Sequence, residues 1–175
     1  DIDLKNQEWV PIGNTSNPFT GNYNGGNHTI SGLKITTNQV NSTGEGAGFF
    51  GVVKDATIKN LTIADGDITV TAQEVGAIVG RMTNSKLYNC VNFANVTNLA
   101  NNHYQMTGGI FGHAVDQSTE VIANCYNAGT VSAPNADAAT NRGIGGIGGH
   151  ISGESQMISC YNTGKVTAGF GTTGS

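Results

Sequence analysis

Four short phrases of this chain are near copies of one another: Ala47-Gly48-Phe49-Phe50-Gly51, Gly76-Ala77-Ile78-Val79-Gly80, Gly108-Gly109-Ile110-Phe111-Gly112 and Gly145-Gly146-Ile147-Gly148-Gly149. Their starts lie 29, 32 and 37 residues apart. A second phrase follows each one, and its last three copies carry Cys90, Cys125 and Cys160, successive cysteines being 35 residues apart. Self-similarity at such a period marks a chain in which one small supersecondary unit, unable to bury a face alone, stacks on the next.

Aligning the second phrase produces columns. Ile58-Lys59-Asn60-Leu61-Thr62-Ile63 stands over Leu87-Tyr88-Asn89-Cys90-Val91-Asn92, then Ile122-Ala123-Asn124-Cys125-Tyr126-Asn127 and Met157-Ile158-Ser159-Cys160-Tyr161-Asn162. Six residues beyond each cysteine stands a valine: Val96, Val131 and Val166. The segments are short, rich in β-branched residues and punctuated by Gly or Asn, and none holds a helical period, so strand is the expectation throughout. A coil of about 30 residues accommodates three short strands and three corners. Each strand then pairs in parallel with its counterpart one coil along. The expected fold is all-β, a parallel β-helix of about six coils, right-handed by the usual crossover rule.

Paired glycines are expected at one corner for positive φ and close backbone approach. Asn92, Asn127 and Asn162 are expected at another, with amides stacked between coils. Surplus residues in the longer intervals are placed in loops at Asn98 to Gln105 and Ala133 to Arg142. Residues 1–45, with Trp9-Val10-Pro11-Ile12-Gly13 and Thr29, Ile30, Leu33 and Ile35, read as irregular coils leading into the stack. Residues 46–75, 76–107, 108–144 and 145–168 are the four repeats, followed by the start of a truncated next coil. All form one continuous domain, expected to be a piece of a larger protein.

Charged residues make up 11% of the chain and the net charge is −4, too sparse and of the wrong sign for a nucleic-acid footprint. No apolar run is long enough to span a bilayer. The odd number of cysteines cannot all pair within the chain. Buried, unpaired thiols acting as small core residues are the expectation. No two cysteines have ligand-pair spacing, so no metal is expected on them.

The combination Trp9-x-Pro11-Ile12-Gly13, Phe19-x-Gly21, Gly26-x-His28-x-Ile30-x-Gly32-Leu33 and repeated Gly-x-x-x-Gly followed by Asn-Cys-Tyr-Asn resembles the bacterial repeat family named for its GLUG motif. The likeness covers roughly residues 1 to 168. It implies an extracellular or cell-surface setting: such repeats occur in adhesin-like bacterial surface proteins and in proteins related to IgA-cleaving zinc metalloproteases. Two departures touch packing: Gly148 replaces a bulky residue in the fourth phrase, and Ala94 replaces the glycine after the Cys90 phrase. The His-Glu-x-x-His pattern of the metalloprotease relatives is absent from this chain, so the resemblance does not make it a protease.

Candidate sites follow from the columns. Tyr126 and Tyr161 are equivalent, with Tyr88 offset, and beside an inward cysteine they are expected to face outward as an aromatic strip. The loop Asn101-Asn102-His103-Tyr104 is expected to overhang it, which makes Tyr126, Tyr161, Tyr104 and His103 the candidate ligand contacts. Exposed rings stack on sugars or anchor protein partners, but they also shield strand edges. His113 and His150 share the slot after the closing glycine, where Arg81 and Val52 stand earlier. Two imidazoles so placed could make half a metal site, but with no carboxylate in an adjacent slot of the alignment they read as a solvent-facing column, and no metal is expected. Asp65-Gly66-Asp67 reads as a polar turn or, lacking repeats, a poor calcium loop. The acidic residues Glu45, Asp55, Glu74, Asp116, Glu120 and Glu154 do not recur in register, so no catalytic carboxylate pair is indicated. The reading is a non-catalytic module, with no cofactor, that acts as an adhesin or stalk and binds host protein or glycan. The alternative is an accessory repeat region of a secreted metalloprotease or carbohydrate-active enzyme, positioned beside flanking domains of the same chain.

Overall fold

A computed structural model describes residues 1–40, 46–101, 104–115, 121–136 and 142–169. The described residues form no helix; their short strands make five parallel sheets that run along a single stack. Taking the walls in chain order around one coil, the first contains Gly46–Ala47, Glu74–Val75, Gln105–Gly108 and Arg142–Gly145. The second contains Phe50–Lys54, Val79–Thr83, Phe111–Val115 and Gly148–Ile151. The third runs from Asn22–Asn24 through Thr57–Lys59, Lys86–Tyr88 and Val121–Ala123 to Gln156–Ile158. The fourth has Ile2–Asp3, Thr29–Ser31, Thr62–Ile63, Val91–Asn92, Tyr126–Asn127 and Tyr161–Asn162. The fifth has Leu33–Thr36, Gly66–Val70, Asn95–Asn98, Val131–Ala133 and Val166–Ala168.

The chain is therefore a parallel β-solenoid. Four coils carry all five walls, and only the fourth wall reaches the six rungs that correspond to six expected coils. The N-terminal residues complete an irregular turn through single bridges, Glu8 to Lys34, Ile12 to Phe50 and Phe19 to Val53. Trp9 stacks on Phe49 with ring centres 4.6 Å apart and donates its indole N–H to the Phe49 carbonyl. Together with Phe19, Tyr23 and Phe50 these rings fill the N-terminal end of the interior.

Five walls stand where three strands were expected, and two local causes account for it. After the third wall, Asn60, Asn89, Asn124 and Ser159 all adopt φ between 51° and 55°, a left-handed kink that separates the third wall from the fourth. Asparagine tolerates this conformation better than other side chains. At the glycine phrases the chain folds back so tightly that the first and second walls touch backbone to backbone. A Cβ on Gly112 would lie 2.4 Å from the Val75 nitrogen, and one on Gly80 would lie 2.3 Å from the Ala47 nitrogen. Contact, not left-handed backbone, is what these glycines supply: none of the phrase glycines has positive φ. Gly148, the odd member of its column, gives its space to Phe111 of the preceding coil, whose ring tip would lie 2.0 Å from a Cβ there.

The predicted columns are the interior. Val96 pairs with Val131 and Val131 with Val166. Ile58, Leu87 and Ile122 are in register and fully buried, each such side chain stabilising the fold by about 1.5–3 kcal/mol. Strands end at Asn98 and Ala133 and resume at Gln105 and Arg142, the bounds expected for the two loops, whose residues 102–103 and 137–141 lie outside the described residues.

Candidate functional site

On the fourth wall side chains alternate strictly. Ile30, Ile63, Asn92 and Asn127 point inward, while Thr29, Thr62, Val91, Tyr126 and Tyr161 form the outer column. Period-two alternation places the tyrosines outside because their neighbours, the cysteines on one side and the asparagines on the other, are inside. Tyr126 and Tyr161 stack with ring centres 4.4 Å apart and planes 22° from parallel. Phe93 meets Tyr126 edge-on at 6.0 Å, and the Tyr126 hydroxyl lies 2.7 Å from the Thr163 hydroxyl. Tyr161 and Phe93 remain 60% and 46% exposed. The strip thus exists, and Phe93, which the column reading passed over, belongs to it. Its signal was available: it stands two residues after Val91, the equivalent of Tyr126, so period-two alternation places it on the same outer side.

Tyr104 is exposed, but it leads into the first wall, and the fifth wall lies between it and the strip around the coil. The structure does not bring it into ring contact with Tyr126 or Tyr161. His103 lies outside the described residues. Tyr88 sits on the third wall opposite Lys59 and Ala123, apart from the strip.

Beneath the tyrosines runs a polar ladder. Asn92 Nδ2 donates to Asn127 Oδ1 at 2.8 Å, and Asn127 Nδ2 donates to Asn162 Oδ1 at 2.7 Å. Each amide also caps a carbonyl two residues on, that of Ala94, Gly129 or Gly164. The phrase glycines make room for it, since a Cβ on Gly109 would lie 2.2 Å from Asn127 Cγ and one on Gly146 equally close to Asn162 Cγ. The thiols of Cys90, Cys125 and Cys160 are free and sit in one column, each directed at the carbonyl two residues before it. The Cys125 thiol is pushed up to about 12: a hydrogen bond with Cys160 pulls it down, but the bond to Cys90 and burial outweigh that. The hydrogen bond with Cys125, then burial, raise Cys160 as well. Such thiols are poor nucleophiles and serve as packing.

The histidine column departs from its expected surroundings. His113 and His150 are in register on the second wall with ring centres 5.1 Å apart. The alignment shows no carboxylate beside them, yet Glu74 Oε1 lies 2.8 Å from His113 Nδ1 and 3.6 Å from an Arg81 guanidinium nitrogen. Glu74 is only 3% exposed. It comes from the first wall, which the glycine contact presses against the second, so two positions 39 residues apart meet. Ser152 Oγ stands 3.4 Å from His113 Nε2 and donates to the Ala114 carbonyl at 3.2 Å. The serine–histidine–glutamate order is that of an acyl-transfer relay, but the serine proton has a backbone acceptor and the contact to the imidazole is long. Among the described residues no three His, Cys, Asp or Glu side chains are grouped to hold a metal ion.

The Asp65-Gly66-Asp67 turn binds its own fold. Asp65 accepts the Gly32 N–H, and Asp67 accepts from Asn95 at 3.1 Å. No described helix is long and apolar enough to cross a membrane. No family model, no curated protein and no solved structure matches the chain.

Proposed function

We propose that this solenoid is a non-catalytic module of an extracellular bacterial surface protein, related to the GLUG-type repeats, that binds host glycan or protein along its fourth wall. The stacked, outward-facing pair of Tyr126 and Tyr161, flanked by Phe93, carries this reading. The stack covers one face of each ring and holds both rigid, so the ring rims and the uncovered side of Tyr161, 60% exposed, offer an apolar surface at small entropic cost, which suits a sugar ring or an aliphatic side chain. The stack of parallel ladders makes a stiff support. One weak contact per module becomes useful when many copies engage a surface together.

The test is a glycan array and a pull-down from host mucus, repeated with Tyr126→Ala, Tyr161→Ala and Phe93→Ala after circular dichroism shows an intact fold. The expected outcome is a captured ligand whose binding drops about fivefold or more in each variant, since truncating an interface residue that matters costs about 1 kcal/mol or more. Undiminished binding by all three variants discards the strip as the contact surface. An intact fold with nothing captured from either source removes the binding role.

A further inference from the structure

We propose that His113 and His150 form a two-histidine clamp for a borderline transition-metal ion, Zn²⁺, Ni²⁺ or Cu²⁺, with Glu74 as its positioning residue. Two imidazoles bound to one tetrahedral ion through nitrogens at about 2.05 Å hold their ring centres roughly 5 Å apart. The two rings stand at 5.1 Å without any ion. Parallel register on adjacent rungs fixes that spacing in the backbone.

The second observation is the carboxylate behind the ring. A carboxylate only accepts hydrogen bonds, so its 2.8 Å contact with Nδ1 makes that nitrogen the N–H of His113. In the neutral ring Nε2 then carries the lone pair, the tautomer a metal requires, and the Ser152 hydroxyl 3.4 Å away must give way to an ion there. This histidine-to-carboxylate bond is the common second layer of histidine metal sites, where it orients the ring and raises its basicity. The side chain of His113 is 13% exposed, and that of Glu74 4%, so the orienting bond is held within the wall while His150 faces solvent.

Charge decides which ions fit. Arg81 stands 3.6 Å from the same carboxylate and balances it, so the clamp offers imidazole nitrogen without net negative charge. Hard cations such as Ca²⁺ and Mg²⁺ seek several oxygens and gain little there. Imidazole-seeking ions do gain, with water completing the coordination shell.

The experiment is calorimetric titration of the chain with ZnCl₂ and NiCl₂, paired with electron paramagnetic resonance of the Cu²⁺-loaded protein. The expected result is one site, two ring nitrogens in the copper spectrum, and no competition from excess Ca²⁺ or Mg²⁺. His150→Gln, at an exposed position, should weaken binding by about tenfold or more and leave one nitrogen. Glu74→Gln should weaken it by about 10–100-fold with both nitrogens retained. His28→Gln and His103→Gln should bind as the parent does. Equal affinity of the parent and His150→Gln, or a copper spectrum with fewer than two ring nitrogens in the parent, overturns the proposal.

Discussion

At the scale of single residues, the interior of this solenoid keeps polar groups, among them Asn92, Asn98 and Asn127. Asn127 donates to Asn162 and to the Gly129 carbonyl and accepts from Asn92, so its amide is shared among three coils. Asn127→Ala strands several of these partners away from water, and the stability loss in urea unfolding should be about 2–3 kcal/mol. The thiol column gives a pH dependence. Cys125 holds its proton up to about 12 in the fold against an ordinary value of 9.0. Between those values the folded chain binds more protons than the unfolded one, so stability present below pH 9 should fall as pH rises towards 12. Cys125→Ala should flatten that fall, measured as midpoint against pH. The cysteine, asparagine and valine columns were legible in the sequence because register copies period directly into space. Glu74 was not, because its partners come from a different wall and no periodicity relates them.

At the scale of elements, the defining feature is the fold-back of the glycine phrase, which sets the first wall on the second. Gly112→Ala places a methyl 2.4 Å from one backbone nitrogen and 2.6 Å from the Gly80 carbonyl oxygen. Neither can move without opening the ladder, so the loss should reach about 3 kcal/mol or more in denaturant unfolding. The corner before the fourth wall behaves differently. Asn89 sits at φ 53°, exposed to solvent on the amide that it donates to Asn60. Asn89→Gly should cost little, whereas Asn89→Val should cost about 1–2 kcal/mol, since a β-branched residue resists left-handed backbone. The same comparison explains why three strands were expected and five were found. Glycine signals a corner by composition, but an asparagine reads equally well as strand, turn or ladder until its φ is known.

At the scale of the whole molecule, each coil touches only its neighbours, so stability is approximately a sum of coil and interface contributions. Ile147→Ala removes a buried side chain from the last complete coil, at about 2–5 kcal/mol. In native-state hydrogen exchange its effect should be confined mainly to the strands from Gln105 onward. The amides of Gly66–Val70 should keep their protection. Equal loss in every coil would instead mean that the stack opens as one cooperative unit. The two surfaces proposed to act lie on different walls, the tyrosine strip on the fourth and the histidine clamp on the second. A change at one should therefore leave the other's binding unaltered.

The amino-acid order alone determined that identical letters of the repeat would lie above one another, because a parallel stack converts spacing along the chain into contact along the axis. It thereby determined the all-β class, the column of free thiols, buried at Cys90 and Cys125 and half-buried at Cys160, the amide ladder and the outward tyrosines. Which letters of different walls meet was decided only by tertiary structure. That depends on how sharply the chain turns within a coil, and the turns are set by backbone contact at Gly80 and Gly112 and by left-handed φ at Asn60, Asn89 and Asn124. These are conformational choices with no period to read, and they brought Glu74 to His113 and kept Tyr104 away from the strip.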